Sequence, residues 1–383
     1  MKTLEAISRW MEEPDSNHKI FYILDLPGSG KSSISKQLVT GLESKALFGC
    51  FFFSRDTEET MSINSFCSAV SHAFARRSTE FKRLANEFEA TPGCEGLDFE
   101  DKLKGLVLDP LRSLERPAVL IIDAVDECNN DHRGRDRLLN ALHTQHTSVP
   151  LLRIFITGRL ENDIKKHAKN SGGFHTFREL EGVNQDVERY IDSRLQNELP
   201  EDQVLAIKHS ADGLFIWAST ACDLLLDKKI SRGDVLNGLK RNAGLPDLYK
   251  TAMKGAMPTD VVLRRSILTT LAMILAAERP LSIEELKLLS PEPAVVDVAI
   301  NRLGNFLACD APDKPIRLVH ITFRDFITNR LVAGEYFVQV KLGHYILASE
   351  SIKIISEATK QQDFRANRLE RNIQREVIEI SRI

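Results

Sequence analysis

DLPGSGKSS, Asp25 to Ser33, follows directly on the apolar run IFYIL, Ile20 to Leu24, and its reading decides the fold. A strand that ends in a glycine-rich turn and opens into a helix makes a phosphate cradle. Successive backbone N–H groups point inward, and the positive end of the next helix dipole is aimed at the same spot. In the pattern GxxxxGK[ST], Lys31 reaches the β- and γ-phosphates and the Ser32 hydroxyl holds Mg²⁺. Gly28 and Gly30 supply the backbone freedom of the turn, and Pro27, Ser29 and Ser33 complete the candidate nucleotide-binding set. Asp25 stands where the pattern wants glycine, and a carboxylate there repels phosphate unless it points away. The competing reading of this segment alone is an ordinary Gly/Pro turn.

The second half of a nucleotide site is an acid at the end of another buried strand. AVLII, Ala118 to Ile122, is a short β-branched run, and DAVDEC, Asp123 to Cys128, follows it. Asp123 sits where a metal-binding aspartate belongs, with Asp126 and Glu127 a step further on, placed to polarise an attacking water. Three carboxylates so close repel one another, and a divalent cation relieves that repulsion. Taken alone, the segment also reads as a solvated acidic loop after a core strand. LLRIFI, Leu151 to Ile156, predicts a third strand, ending in Thr157, Gly158 and Arg159. Strand ends on one edge of a parallel sheet converge on the ligand crevice, so Arg159 is a candidate sensor of the γ-phosphate or of the state of the acidic loop after Asp123; a surface arginine is the alternative.

Leu47 to Phe53 and Phe174 to Leu180 bring the expected strands to about five. Between them the spacing predicts helices: Ser32 to Leu42, a second marked by Ile63, Phe66, Val70 and Phe74, and a third by Leu103, Leu106, Val107 and Leu111. Strands alternating with helices make a parallel, doubly wound sheet.

IFYILDLPGSGKSS, FGCFFFSR, VLIIDAVDEC and LRIFITGR, in that order, resemble the NACHT class of STAND P-loop NTPases, in the form common in fungal proteins and related to the nephrocystin-like N-terminal domain. The likeness runs on. QDVERYIDSRL (Gln185 to Leu195) and DGLFIWASTACDLL (Asp212 to Leu225) are similar to that family's helical segment, and RPLSIEELKLL (Arg279 to Leu289) and IRLVHITFRDFI (Ile316 to Ile327) to its winged-helix segment. The resemblance implies an α/β fold: a P-loop NTPase parallel sheet flanked by helices, then a helical domain and a winged-helix-like domain. It implies a lead-in helix over 1–19, a nucleotide core over 20–182, a helical domain over 183–256, a winged-helix-like domain over 257–333 and a C-terminal helical segment over 334–383. It further implies a regulated switch that binds ATP or GTP with Mg²⁺, hydrolyses slowly and self-associates when activated. Lys31 and Ser32 match its Walker A pair, Asp123 its metal-binding acid, Asp126 and Glu127 its extended acidic motif, and Arg159 its sensor arginine. His320 matches a winged-helix histidine that contacts the β-phosphate of bound ADP; a structural histidine beside Phe323 and Phe326 is the other reading of that residue.

Composition narrows the class. A chain of 383 residues with 43% hydrophobic and 27% charged content builds two or three packed soluble units. A formal charge of −3 argues against a generalised nucleic-acid surface. The 6 cysteines form no CxxC pair, which suggests neither a zinc site nor a disulfide framework and fits reduced thiols in the cytoplasm. The opening MKTLEAISRWMEEPD lacks an apolar signal core, and no stretch approaches about 18 apolar residues, so no membrane span is expected.

Trp10 is expected to pack the lead-in helix on the core, and Leu369, Ile373, Val377 and Ile380 form an apolar stripe near the C-terminus. No repeat with a period of about 20–50 residues is present. Relatives with the resembled architecture carry such arrays as sensors, so the trigger is expected from a longer gene product or a separate protein, as is an effector. A non-catalytic scaffold with a degraded phosphate loop is the alternative function. A small-molecule kinase is weaker, because no acceptor-substrate motif is seen.

Overall fold

The computed structural model describes residues 2–12, 18–42, 46–54, 62–128, 132–171, 174–176, 183–227, 231–239 and 244–359. The chain divides into two compact units, Met1–Leu248 and Tyr249–Ile383.

The first unit is built on five strands, β1 (Ile20–Leu24), β2 (Leu47–Phe52), β3 (Ala118–Asp123), β4 (Leu152–Gly158) and β5 (Phe174–Thr176). Their order is β2-β3-β4-β1-β5, and every pairing is parallel. β4 therefore lies between the strand that feeds the phosphate loop and the strand that ends in Asp123. Parallel pairs need crossovers, and helices supply them: α2 (Lys31–Leu42) lies on one face with α1 (Lys2–Glu12), which precedes β1, and α3 (Ile63–Ala75) and α4 (Thr79–Glu89) lie on the other. That second face also carries α5 (Phe99–Leu103), a π turn at Lys104–Leu108, α6 (Asp109–Leu114), α7 (His132–Gln145) and α8 (Asn162–Ser171).

Side-chain alternation sorts the strands into two cores. Ile20, Tyr22 and Leu24 of β1 join Leu120 and Ile122 of β3 and the helices from α3 to α8. Phe21 and Ile23 join Val119, Ile121 and Phe155, together with Ile7, Ile34 and Leu38. Both faces are covered, which is why these strands read as unbroken apolar runs. Trp10 packs on Phe21 with ring centroids 5.0 Å apart, so α1 is part of the core. At Gly49 a Cβ would come within 2.5 Å of the Phe74 ring, so only glycine lets α3 approach β2 this closely.

Beyond β5 the first unit is helical: α9 (Val183–Leu195), α10 (Glu201–Ala211), α11 (Phe215–Leu226) and α12 (Arg232–Leu239). The division between units falls within α13 (Leu245–Ala256). The second unit contains α14 (Val261–Ala276), α15 (Ile283–Leu288) and α16 (Pro293–Arg302), then an antiparallel ribbon of β6 (Leu307–Ala308) and β7 (Arg317–Leu318), then α17 (Ile321–Ile327). Ser282 starts α15 with a capping box to Glu285 and bridges to Pro315, tying that helix to the ribbon. Its core includes Phe306 stacked on Phe323 at 4.1 Å. The expected strand over Phe174 to Leu180 is present as far as Thr176. Residues 177–180, and the C-terminal stripe from Leu369 to Ile380, lie outside the described residues.

Candidate functional site

Lys31, Asp123, Asp126 and Arg159 all come from the C-terminal ends of β1, β3 and β4 or from the loops that follow them. Adjacent parallel strands bring those ends together. The loop after β1 turns sharply because Gly28 and Gly30 adopt φ of 82° and 105°, a region that disfavours any side chain. Asp25 is not among the positive-φ residues, so its position does not require glycine. Its carboxylate is 2% exposed and accepts the Leu26 N–H at 2.6 Å. The aspartate therefore braces the start of the loop through that bond.

Lys31 is the first residue of α2 and is 9% exposed. Its ammonium turns back on its own loop, donating to the Asp25 carbonyl at 3.0 Å, the Leu26 carbonyl at 2.7 Å and Ser29 Oγ at 3.2 Å. Burial pushes it down to about 8, against the opposing pull of Asp126, Asp25 and Asp123. Pro27 is half-buried, and Ser32 and Ser33 are exposed at the start of α2.

Asp123 is buried at the end of β3, where its Oδ1 accepts from Ser35 Oγ and Thr157 Oγ1, each at 2.6 Å. The structure thus joins Asp123 to Ser35, one helical turn beyond Lys31. No group of three acidic, histidine or cysteine side chains among the described residues makes a metal cluster. Mg²⁺ suits a sparse site of this kind, since it keeps waters and takes one or two protein oxygens plus phosphates. Asp123 and Ser32 both carry oxygen atoms of the hard kind that Mg²⁺ would take, screening phosphate charge.

After Asp123 the chain makes a tight turn in which Ala124 takes φ 54° and ψ 48°, a left-handed conformation for a residue with a Cβ. Its N–H donates to Thr157 Oγ1 at 3.0 Å. The turn carries Asp126 inward, where Oδ2 pairs with Arg159 Nε at 2.9 Å and Oδ1 accepts the Arg159 N–H at 3.0 Å. Burial raises the Asp126 pKa, opposed by Arg159 and Lys31. Glu127 is half-buried beside it. Gly158 leaves room for this turn, because a Cβ there would meet Val125 Cγ1 at 3.0 Å.

Parts of the chain are similar to known proteins. Residues 3–159 match the family described as nephrocystin 3, N-terminal. The vegetative incompatibility protein HET-E-1 of Podospora anserina is 27% identical over 233 residues, which is 55% of this chain and 17% of that protein. These two likenesses support a NACHT-like P-loop NTPase core in the first unit. Among solved structures, the Walker-type ATPase PABY2304 of Pyrococcus abyssi is 14% identical, covering 83% of this chain and 92% of its own, with a TM-score of 0.41. Cdc6p of Pyrobaculum aerophilum is also 14% identical, over 91% of this chain and 92% of its own, with a TM-score of 0.39. The alignment to HET-E-1 thus spans about a sixth of that relative's length.

The site also uses residues that the motifs did not point to. Arg135 on α7 is 3% exposed and donates to the Asp126 carbonyl at 3.1 Å, while pairing with Glu161 at 2.6 Å and Asp163 at 2.7 Å. It fastens the acidic turn to the loop between β4 and α8. Ile216, at the start of α11, donates its N–H to the Gly28 carbonyl at 3.0 Å, so the helical segment grips the phosphate loop itself. His320 lies in the second unit, where its ring Nδ1 accepts the Thr322 N–H at 3.1 Å and caps α17. Thr322 Oγ1 in turn meets the Tyr249 hydroxyl at 2.7 Å.

Proposed function

We propose that this protein is a nucleotide-operated signalling switch. It binds ATP or GTP with Mg²⁺, hydrolyses slowly, and uses the nucleotide state to control opening and self-association. Lys31 and the loop from Pro27 to Ser33 take the phosphates, Asp123 and Ser32 the metal, Asp126 and Glu127 the attacking water, and Arg159 the γ-phosphate.

The observation that carries the reading is the shared loop. The segment that holds Lys31 also offers its Gly28 carbonyl to Ile216 of α11. A nucleotide that draws Lys31 away from the Asp25 and Leu26 carbonyls reshapes that loop, and the helical segment is attached to it. The Asp126–Arg159 pair supports slow turnover, because the acid assigned to water is engaged by an arginine until the γ-phosphate draws it off.

The helices and two-stranded ribbon of the second unit support a winged-helix-like domain over 257–333, following a helical domain over 183–256. His320 is proposed to hold the closed form on bound diphosphate, its Nδ1 being used as an acceptor and its Nε2 therefore carrying the proton in the neutral ring. The setting proposed with it is fungal self-recognition or innate immunity, with a separate or appended sensor and effector and a cytoplasmic location; the likeness to a vegetative incompatibility protein supports the self-recognition part. No helix among the described residues is long and apolar enough to cross a membrane.

The test measures nucleotide affinity, single-turnover hydrolysis and sedimentation of the parent, Lys31→Ala and His320→Ala proteins. Lys31→Ala should lose at least about tenfold in affinity. His320→Ala should weaken ADP binding and raise the associated fraction together. Parent protein that binds no nucleotide sinks the proposal and leaves the scaffold reading; binding without hydrolysis or nucleotide-dependent association sinks the switch.

A further inference from the structure

Residues 340–359 of the second unit are helical, and this helix is apolar on two opposite faces. Its inner face carries Gly343, Ile346, Leu347 and Ile354, all buried or half-buried. Gly343 seats it on α14: a Cβ there would come within 2.1 Å of the Ala272 carbonyl oxygen, so only glycine allows the contact. The outer face is bare. Tyr345, Ile352 and Ile355 are 71%, 67% and 65% exposed, and Ala348 and Thr359 on the same face are exposed too. Scattered exposed apolar side chains are ordinary, but a row of them along one helix marks an interaction surface.

The spacing fits one kind of cover. From Tyr345 to Thr359 the steps are three, four, three and four residues, the a and d positions of a heptad, which form a narrow seam for another helix. The sequence keeps this register at Ala366, Leu369, Ile373, Ile380 and Ile383, with Gln362 and Glu376 as polar members; those residues lie outside the described ones. Beside the exposed seam stand Ser349, Ser351, Ser356 and Ala358. Charges at such flanking positions select an unlike partner or reject a like one, and these four residues carry none, so two identical seams meet there without repulsion. Lys341 falls at the outer end, where a long side chain turns its charge to water.

We propose that this seam pairs with the same seam of a second copy of the chain, forming a helix-to-helix dimer that does not require nucleotide. Two helices paired over about 28 Å bury on the order of 1,000 Å² in total, the low end of specific interfaces, so the dimer dissociates in the micromolar range.

The experiment is sedimentation equilibrium of the full chain without nucleotide, from about 1 to 100 µM, where monomer and dimer should exchange. The double variant Ile352→Lys/Ile355→Lys should pair at least about a hundredfold more weakly, because each dimer loses four buried isoleucines. Its melting temperature should match the parent's, since both side chains are already exposed in the single chain. Glu357→Lys, exposed on the same helix away from the seam, should dimerise like the parent. So should Lys31→Ala, which separates this dimer from the nucleotide-controlled association of the proposed switch. The thiol of Ile352→Cys should react with a maleimide in dilute protein and become protected as the dimer forms. The proposal is overturned if the parent stays monomeric up to about 100 µM, if the double lysine variant still dimerises, or if Glu357→Lys dissociates as fully as that variant. A monomeric parent together with a protected thiol in Ile352→Cys overturns it in favour of the chain's own residues beyond Thr359 covering the seam.

Discussion

Nucleotide affinity should fall as pH rises above about 8, because Lys31 must be charged to meet phosphate. In the free protein burial holds its ammonium down from 10.5 to about 8, with Asp126, Asp25 and Asp123 pulling the other way. Bound phosphates add negative charge beside it and raise it again. Well below pH 8 the ammonium is protonated in both forms and affinity is flat. Above it the free protein has lost the proton, so binding must take one up. With the free form at about 8, the penalty factor is 1 + 10^(pH−8), about 1.1 at pH 7 and about 11 at pH 9, a tenfold loss or about 1.4 kcal/mol. The same shift has an opposite sign for folding. The unfolded lysine keeps its proton up to 10.5, so the stability of the nucleotide-free protein rises with pH between about 8 and 10.5. A fluorescent nucleotide titrated at fixed ionic strength from about pH 7 to pH 9.5, with calorimetric proton uptake in two buffers, reads both quantities. Flat affinity across that range, with no uptake at pH 9, would refute the assignment of Lys31 as the phosphate-facing charge.

Two further outcomes follow from the acidic turn. Asp126→Asn keeps an acceptor for the Arg159 N–H but removes the charge facing its guanidinium. It should cost about 2 kcal/mol of stability in urea unfolding and slow single-turnover hydrolysis while affinity stays within about threefold; an unchanged rate removes Asp126 from the chemistry. Ala124→Gly should stabilise the protein by about 0.5–1 kcal/mol, because glycine adopts the left-handed conformation without the Cβ penalty. Destabilisation in the same unfolding assay would mean that the Ala124 methyl contributes packing larger than the strain.

β1, β3 and β4 were legible because they are buried along their whole length and so appear as largely apolar runs, each ending in a chemically marked turn. Gly28 and Gly30 were legible for the same reason: the turn needs positive φ, and only glycine supplies it freely. The residues that complete the site left fainter marks. Arg135 sits with Leu138, Leu139 and Leu142 on the buried side of α7, and Ser35 with Ile34, Leu38 and Leu42 on that of α2. A polar residue at a core position of an amphipathic helix is the signal, but its partner is invisible: Ser35 meets Asp123 across 88 residues of chain. The return of Lys31 to its own loop has no sequence mark at all, since its main acceptors are backbone carbonyls, which every residue carries. Asp25 looked like a defect in the motif. Its carboxylate accepts the Leu26 N–H, so it takes part in shaping the start of the loop.

Binding at this site is an exchange. Lys31 must give up three acceptors within its loop before it can meet phosphate, and the loop it leaves is the one whose Gly28 carbonyl is held by Ile216. The coupling therefore rests on one backbone N–H at the second position of α11. Proline at that position fits the first turn of a helix, where most N–H groups have no helical partner, so Ile216→Pro deletes the donor without breaking α11. Ile216→Ala is the companion variant, losing the same buried side chain but keeping the N–H. Both should lose stability through the vacated core volume, by about 2–4 kcal/mol. They should differ in coupling. Limited proteolysis of the segment from α9 to α12 should respond to nucleotide in the parent and the alanine variant, and should cease to respond in the proline variant even though nucleotide still binds. If the proline variant responds like the alanine variant, the Gly28–Ile216 bond is a packing detail and the nucleotide signal leaves the loop by another route.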